Sequence, residues 1–275
     1  MSQHLDDFSP QSLVQTIEAN IHEFLLILGK TGGGEERQGT EIQWVIGGAP
    51  ISYHNCVIHA YLTDETADEV IKASVERFQA YKVPGSWHVG PAMRPLDLGT
   101  RLLAQGFSYG GAEAGMAVDL LALHEQVSPP PALVIKRVSN EAELQTWTRT
   151  LASGFGEGAI EANWVGSQYR RLGFDPSGAW RHYLAYLDEL PVATTTLFLG
   201  AGVAGIYFVF TLPQMRGQGI GGAITLAALR DARRLGYRIG VLGASEMGYS
   251  VYQRLGFREY CRLHLYEWKP SVTKS

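Results

Sequence analysis

Apolar residues recur at helical spacing in three long stretches of the chain: SPQSLVQTIEANIHEFLLILGK (9–30), DETADEVIKASVERFQAY (64–81), and the segment from Ile220 to Leu235. The first predicts a capped helix ending near Gly29, followed by a flexible loop, TGGGEERQGT. EIQWVIGG (41–48), NCVIHAYL (55–62) and GSWHVG (85–90) read as strands, RPLDLGTRLLAQ (94–105) as a helix, and AGMAVDLLAL (114–123) as a strand. Beyond them, ALVIKRV (132–138) predicts a strand. SNEAELQTWTRTLASGFG (139–156) predicts a helix in which Asn140 caps and Glu143 stands three residues on, close to a capping box. ANWVGSQYRRLGF (162–174) predicts another helix. Three strands follow in 179–213, with turns at Asp188–Pro191 and Gly200–Gly202. The Ile220–Leu235 helix, the strand RIGVLGA (238–244), the short helix GYSVYQRL (248–255) and the strand YCRLHLYEW (260–268) complete the pattern.

Three consecutive prolines, Pro129–Pro131, exclude helix and central strand and place a domain boundary there, giving domains 1–128 and 129–275. A weak repeat links the two. GTRLLAQGFSYGGAEAGMAVDL and GYSVYQRLGFREYCRLHLYEW both read helix, Gly-Phe, strand, with Gly106-Phe107 matching Gly256-Phe257, so two copies of one fold are expected.

Composition narrows the function classes. A net charge of -4 without a Lys/Arg block argues against nucleic acid as the partner. The start, MSQHLDDFSP, has neither the basic nor the apolar segment of a secretory leader, and FLLIL is too short to span a bilayer; a soluble, cytoplasmic protein without a membrane partner is expected. Cys56 and Cys261 have no metal-site spacing and fit a reducing compartment.

The candidate chemistry lies in PQMRGQGIGGAITLAALRDARRLG (213–236), which contains both G-x-G-x-x-G (Gly217, Gly219, Gly222) and R-x-x-G-x-G (Arg216, Gly219, Gly221). A dinucleotide fingerprint needs a strand running straight into the glycines and a whole doubly wound sheet after them. Residues 213–216 intervene, and too little chain follows. Four glycines in six residues at the mouth of a long helix instead expose backbone N–H groups beside the positive end of the helix dipole, an anion site suited to a pyrophosphate.

FVFTLPQMRGQGIGGAI, then LGAS, then YSVYQRLGF resembles the GCN5-related N-acetyltransferases (GNAT superfamily), with the likeness running over roughly 133–268. The resemblance implies an α/β fold of the α+β, mixed-sheet kind: two GNAT-like domains, each a mostly antiparallel twisted sheet flanked by helices. The sheet would splay open to admit the pantetheine arm of acetyl-CoA. It implies that Val209, Phe210 and Thr211 hold the pantetheine and acetyl group, that Gly217, Gln218, Gly219, Ile220, Gly221 and Gly222 cradle the pyrophosphate, and that Arg216 supports the loop. It places Tyr252 as the general acid for the departing thiolate, although Tyr249 and Tyr252 at i and i+3 also read as core aromatics. Ser245 stands where many members carry a cofactor-contacting Asn, and Gly240 where some carry a Glu base. The base is left open among Glu246, Glu161, Glu157, His182 and a water chain. In the N-terminal copy Leu102 matches Tyr252, and YLTDETADE has no glycine, so this copy is expected to be non-catalytic.

The expected activity is N-acetyl transfer from acetyl-CoA to a primary amine of a small molecule or peptide. A CoA-binding regulatory module and use of a longer acyl-CoA stand as alternatives, and monomer and homodimer are both open. GKTGGG lacks the glycine and preceding strand of a P-loop, and GASEMG lacks the second glycine of a nucleophile elbow. His54, Cys56 and His59 alternate along a strand with no fourth ligand, so no metal is expected.

Overall fold

The computed structural model describes residues 4–270. In chain order the elements are α1 (Pro10–Thr31), β1 (Glu35–Gln38), β2 (Ile42–Ile46), β3 (Asn55–Ala60), α2 (Ala67–Tyr81), β4 (Gly85–Val89), α3 (Leu98–Ala104), β5 (Ser108–Asp119), β6 (Leu133–Arg137), α4 (Glu141–Ala152), α5 (Ala159–Leu172), β7 (Trp180–Leu187), β8 (Leu190–Gly200), β9 (Val203–Thr211), α6 (Ile220–Arg234), β10 (Ile239–Ala244), α7 (Glu246–Arg254) and β11 (Arg258–Trp268). Several elements depart from the periodicity. The expected loop after α1 contains β1, a charged strand that pairs antiparallel with β2, from Glu35 opposite Ile46 to Gln38 opposite Gln43. The Arg94–Gln105 helix shrinks to Leu98–Ala104, and β5 begins at Ser108 rather than Ala114.

The chain divides into two compact units, and not at the prolines. One comprises residues up to Ile21 together with Ala114–Tyr260; the other comprises His22–Glu113 and the chain from Cys261 onward. The chain therefore passes between units inside α1, β5 and β11, while Pro129–Pro131 lies within the first unit, where it runs past the glycine loop into a turn closed by Leu133 N–H donating to the Pro130 carbonyl. A Cβ at Gly219 would come within 2.9 Å of the Ser128 carbonyl.

In the first unit the strand order is β5-β10-β9-β8-β7-β6, parallel between β10 and β9 and antiparallel elsewhere. Successive side chains of a strand face opposite sides, which fixes where the helices lie. Tyr183 of β7 donates to Asp231 of α6 at 2.5 Å, whereas its neighbour His182 stacks on Tyr169 of α5 with ring centroids 3.9 Å apart. α6 thus covers one face of the sheet and α5 the other. α4 starts as its sequence predicts: Asn140 Oδ1 accepts from Glu143 N–H (3.0 Å), and the Glu143 carboxylate accepts from Ser139 N–H (2.7 Å). In the second unit the order is β1-β2-β3-β4-β11, with β3 and β4 parallel. Trp87, Phe78, Ile71 and Leu102 are fully buried in its core.

Each unit buries a neutral histidine. Burial, with His22 and His54 nearby, lowers His88 from 6.5 to about 3, and burial, with Arg137 nearby, lowers His182 to about 3. An unfolded chain takes up these protons near pH 6.5, so the stability is whole above that value and is lost as pH falls toward 3. At pH 4.5 each group is expected to cost roughly 2–3 kcal/mol. Urea titrations at pH 7.5 and 4.5 check this: the midpoint should drop sharply at the lower pH, and equal midpoints would contradict the burial argument.

Candidate active site

Two features of β9 open the first unit's sheet. Its parallel pairing with β10 is confined to Ala204 opposite Gly240 and Gly205 opposite Val241, although β9 continues to Thr211 and β10 to Ala244. Beyond Gly205 the strands part. On the other edge, the pairing with β8 shifts by one residue: Thr196 faces Tyr207 and Thr194 faces Phe210, leaving Phe208 and Val209 opposite Thr195. This is a β-bulge, with Phe208 in the left-handed region at φ 50. Such a conformation is costly for a bulky residue. The Phe208 ring offsets the cost by packing against Phe155 (5.4 Å between centroids), Trp147 (6.0 Å) and Tyr169 (6.2 Å). On the paired side of the split, the Asn20 side chain sits so close over Gly205 that only glycine fits there. It donates to the Gly200 carbonyl (2.9 Å) and accepts from the Tyr207 hydroxyl (2.7 Å).

β9 leads through a single turn at Pro213–Met215 into the glycine loop. Gly217 and Gly219 have φ of 76 and 74, and Gly219 forms the N-cap of α6. Where α4 and α7 are capped by the side chains of Asn140 and Ser245, no side chain caps α6, and its first turn carries no acid. Its leading amides are thus left for an external acceptor. Arg216, exposed, donates from Nε to the Thr211 carbonyl (3.2 Å) and lies 5.9 Å from the Phe210 ring centroid, binding the loop to the end of β9. The open split, the exposed loop from Gly217 to Gly219 and the uncapped helix together fit the arm and pyrophosphate of a coenzyme A thioester.

Tyr252 lies on α7, largely buried, edge-on to Phe257 at 6.0 Å, and its ring occupies the space Gly248 leaves by lacking a side chain. α7 also meets the first turn of α6, since a Cβ at Gly222 would touch Val251 at 3.8 Å. Ser245 accepts from Gly248 N–H as the cap of α7, which leaves its hydroxyl proton free to donate elsewhere. Among the open base positions, the structure separates the candidates. A Cβ at Gly240 would come within 3.0–3.1 Å of the Leu120, Leu229 and Val118 side chains, so the family's Glu position on β10 is crowded by apolar groups here. His182, with a pKa near 3, is a poor proton acceptor. Glu157 and Glu246 are exposed, whereas Glu161 is buried and accepts from Glu157 N–H (3.1 Å), beside the loop whose Phe155 packs on the bulge. Sequence reasoning missed Asn20, the left-handed Phe208 and the threonines of β8; the polar run Thr194–Thr195–Thr196 is the only signal that could have marked them, and all three are fully buried.

The order of elements along the chain repeats. β3-α2-β4-α3-β5 matches β9-α6-β10-α7-β11; α2 and α6 each have 15 residues; and β3 and β4 pair in parallel at two positions, Cys56 with Ser86 and Val57 with Trp87. Here the split is closed. The loop after β4 returns so that Arg94 N–H donates to the Ala60 carbonyl (2.9 Å) and Leu62 N–H to the Arg94 carbonyl (3.1 Å). The backbone that would receive a ligand is already paired, and α2 opens with Asp68 and Glu69 in its first turn.

Among the described residues no group of His, Cys, Asp and Glu is placed to hold a metal ion, and no helix is long and apolar enough to cross a membrane. Residues 178–259 match the sequence family described as an acetyltransferase (GNAT) domain. No curated protein matches by sequence. Among solved structures, a GCN5-related N-acetyltransferase from Kribbella flavida superposes with a TM-score of 0.71 at 16% identity, over 94% of this chain and 96% of that one. A tandem GNAT protein from the clavulanic acid biosynthesis pathway gives 0.58 at 16% identity, over 95% and 96%. A GCN5-related N-acetyltransferase from Sphaerobacter thermophilus gives 0.55 at 17%, over 96% and 95%. At these identities the likeness is one of fold.

Proposed function

The chain carries a GNAT acetyltransferase domain in a tandem GNAT-like fold, and from that premise we propose that it transfers an acetyl group from acetyl-CoA to a primary amine of a small molecule or peptide, in the cytoplasm and without nucleic acid or membrane as partner. The observation that carries the reading is the split between β9 and β10, which leads directly to an uncapped helix at a glycine loop. The loop amides of Gly217–Gly222 and Arg216 hold the pyrophosphate end, and Val209–Thr211 hold the pantetheine and acetyl end. The amine nitrogen attacks the thioester carbonyl carbon; a C–N bond forms and the carbonyl electrons move onto oxygen, where strand amides of β9 stabilise them. As the carbonyl re-forms the C–S bond breaks, and Tyr252 protonates the leaving thiolate. The amine's surplus proton passes to a base, in this reading Glu161, a buried carboxylate beside the loop whose Phe155 packs on the bulge. Ser245 contributes a hydroxyl at the end of β10.

The N-terminal copy does not turn over in this reading, because its split is closed by Arg94 and its helix begins with acids. Calorimetry with acetyl-CoA is expected to show one site per chain, and thiol release should appear with at least one member of a broad amine panel. Two sites would reject the division of labour between the units. Binding without release against every amine would favour a CoA-responsive regulatory module, for which the packed Gly240 is the supporting observation.

A further inference from the structure

The bulge in β9 places two consecutive carbonyls on the same side of the strand. Thr194 Oγ1 donates to the Phe208 carbonyl at 3.0 Å, and Thr195 Oγ1 donates to the Tyr207 carbonyl at 3.3 Å. Along a regular strand consecutive carbonyls point to opposite edges; here both are drawn toward β8 by hydroxyls. The two threonines, neighbours on β8, project from opposite faces of the sheet, and so grip the bulge from above and below. Both are fully buried, where an unpaired hydroxyl would be costly, so these bonds are strongly favoured. The Thr195 carbonyl in turn accepts from the Trp147 indole at 3.4 Å, which ties the clamp to the aromatic nest around Phe208.

The consequence follows from the planar trans peptide, in which a carbonyl and the next N–H point in opposite directions. With the Tyr207 and Phe208 carbonyls facing β8, the N–H groups of Phe208 and Val209 both face the opposite edge of β9. That is the edge from which β10 has parted. Two adjacent amides on one open edge can act as a preorganised pair of donors for a developing oxyanion. We infer that Thr194 and Thr195 are positioning residues for acyl transfer, holding the Phe208 and Val209 amides as a two-donor cradle for the thioester carbonyl oxygen. The inference rests on the acetyl-CoA reading above. It adds Phe208 N–H as a second donor and gives β8 side chains a part in a reaction they do not touch.

Infrared difference spectra of acetyl-CoA carrying ¹³C at the thioester carbonyl test it, alongside the affinity for unacylated CoA. Wild-type protein is expected to lower the carbonyl stretch of the bound thioester relative to the free one. The double variant Thr194→Val, Thr195→Val should return it toward the free value and lower kcat by about tenfold or more, with CoA affinity within about twofold of wild type, because the pyrophosphate loop is untouched. Thr194→Ser with Thr195→Ser restores both hydroxyls and should keep the lowered stretch. Should the double valine variant fail to fold, each single valine variant is expected to lose part of the shift. A lowered stretch that persists in the valine variants, or an unshifted stretch in bound wild type, overturns the cradle while leaving acetyl-CoA binding intact. Wild-type protein that binds no acetyl-CoA overturns the cradle and the proposed function together.

Discussion

Gly221→Glu is expected to weaken CoA binding by at least about a hundredfold while leaving the protein as stable as wild type, or slightly more so. Gly221 sits in the first turn of α6, and a Cβ there would meet only the Thr211 hydroxyl, at 3.4 Å. The backbone therefore accepts a side chain at this position, unlike Gly217 and Gly219 with their positive φ. A glutamate places its charge at the end of the helix that favours anions, so it stabilises the isolated protein and competes for the same amides as the pyrophosphate. Calorimetry with CoA and a thermal melt give the two readings. Gly221→Ala is the control and should bind nearly as wild type. Retained affinity in the glutamate variant would remove the loop from the cofactor site, and a collapsed melting temperature would show that the residue serves the fold instead.

Tyr252→Phe is expected to lower kcat by about a hundredfold or more, with CoA affinity unchanged. The ring's role in packing survives the change, since its contact with Phe257 and its place over Gly248 do not use the hydroxyl. What is lost is the proton for the departing thiolate, and the deficit should be largest for poor leaving groups. Comparing acetyl-CoA with an acetyl donor carrying a more acidic thiol makes the point directly: the variant should recover with the better leaving group. An equal deficit for both donors, or no deficit, would return Tyr252 to the role of a core aromatic.

The elements of the fold were legible because each carries its own period. α4 declared itself through Asn140 and Glu143, α6 through its glycines and apolar stripe, and the Gly106-Phe107 and Gly256-Phe257 pairs marked equivalent corners, with both phenylalanines buried. β1 was not legible. Glu35–Gln38 is polar at every position and is a strand only because β2 offers it an edge. The division into units escaped for a different reason. A proline run reports what the backbone cannot do locally, whereas the units are composed of segments distant in the chain, and no local pattern records that residues up to Ile21 belong with Ala114–Tyr260. In the site, the glycine loop and Tyr252 stood out as residue types at fixed spacing. The bulge did not, because a left-handed phenylalanine is held by contacts with Trp147, Phe155 and Tyr169 that come from two helices and the loop between them.

That interleaving of segments bears on how the protein is made. The unit holding the glycine loop needs both Asn20, which sits over Gly205, and chain as far as Tyr260, while the other unit needs β11 beyond Cys261 to pair with β4. Neither can finish folding on a ribosome until nearly all of the chain has emerged. For much of synthesis the strands β2, β3 and β4 stand without the strand that completes their sheet, and the part of α1 up to Ile21 waits for partners more than ninety residues away. Such a chain gains little from folding its first half early. Its yield in the cell should depend on elongation rate and on chaperones that shield these segments, more than that of a protein whose domains follow one another in sequence.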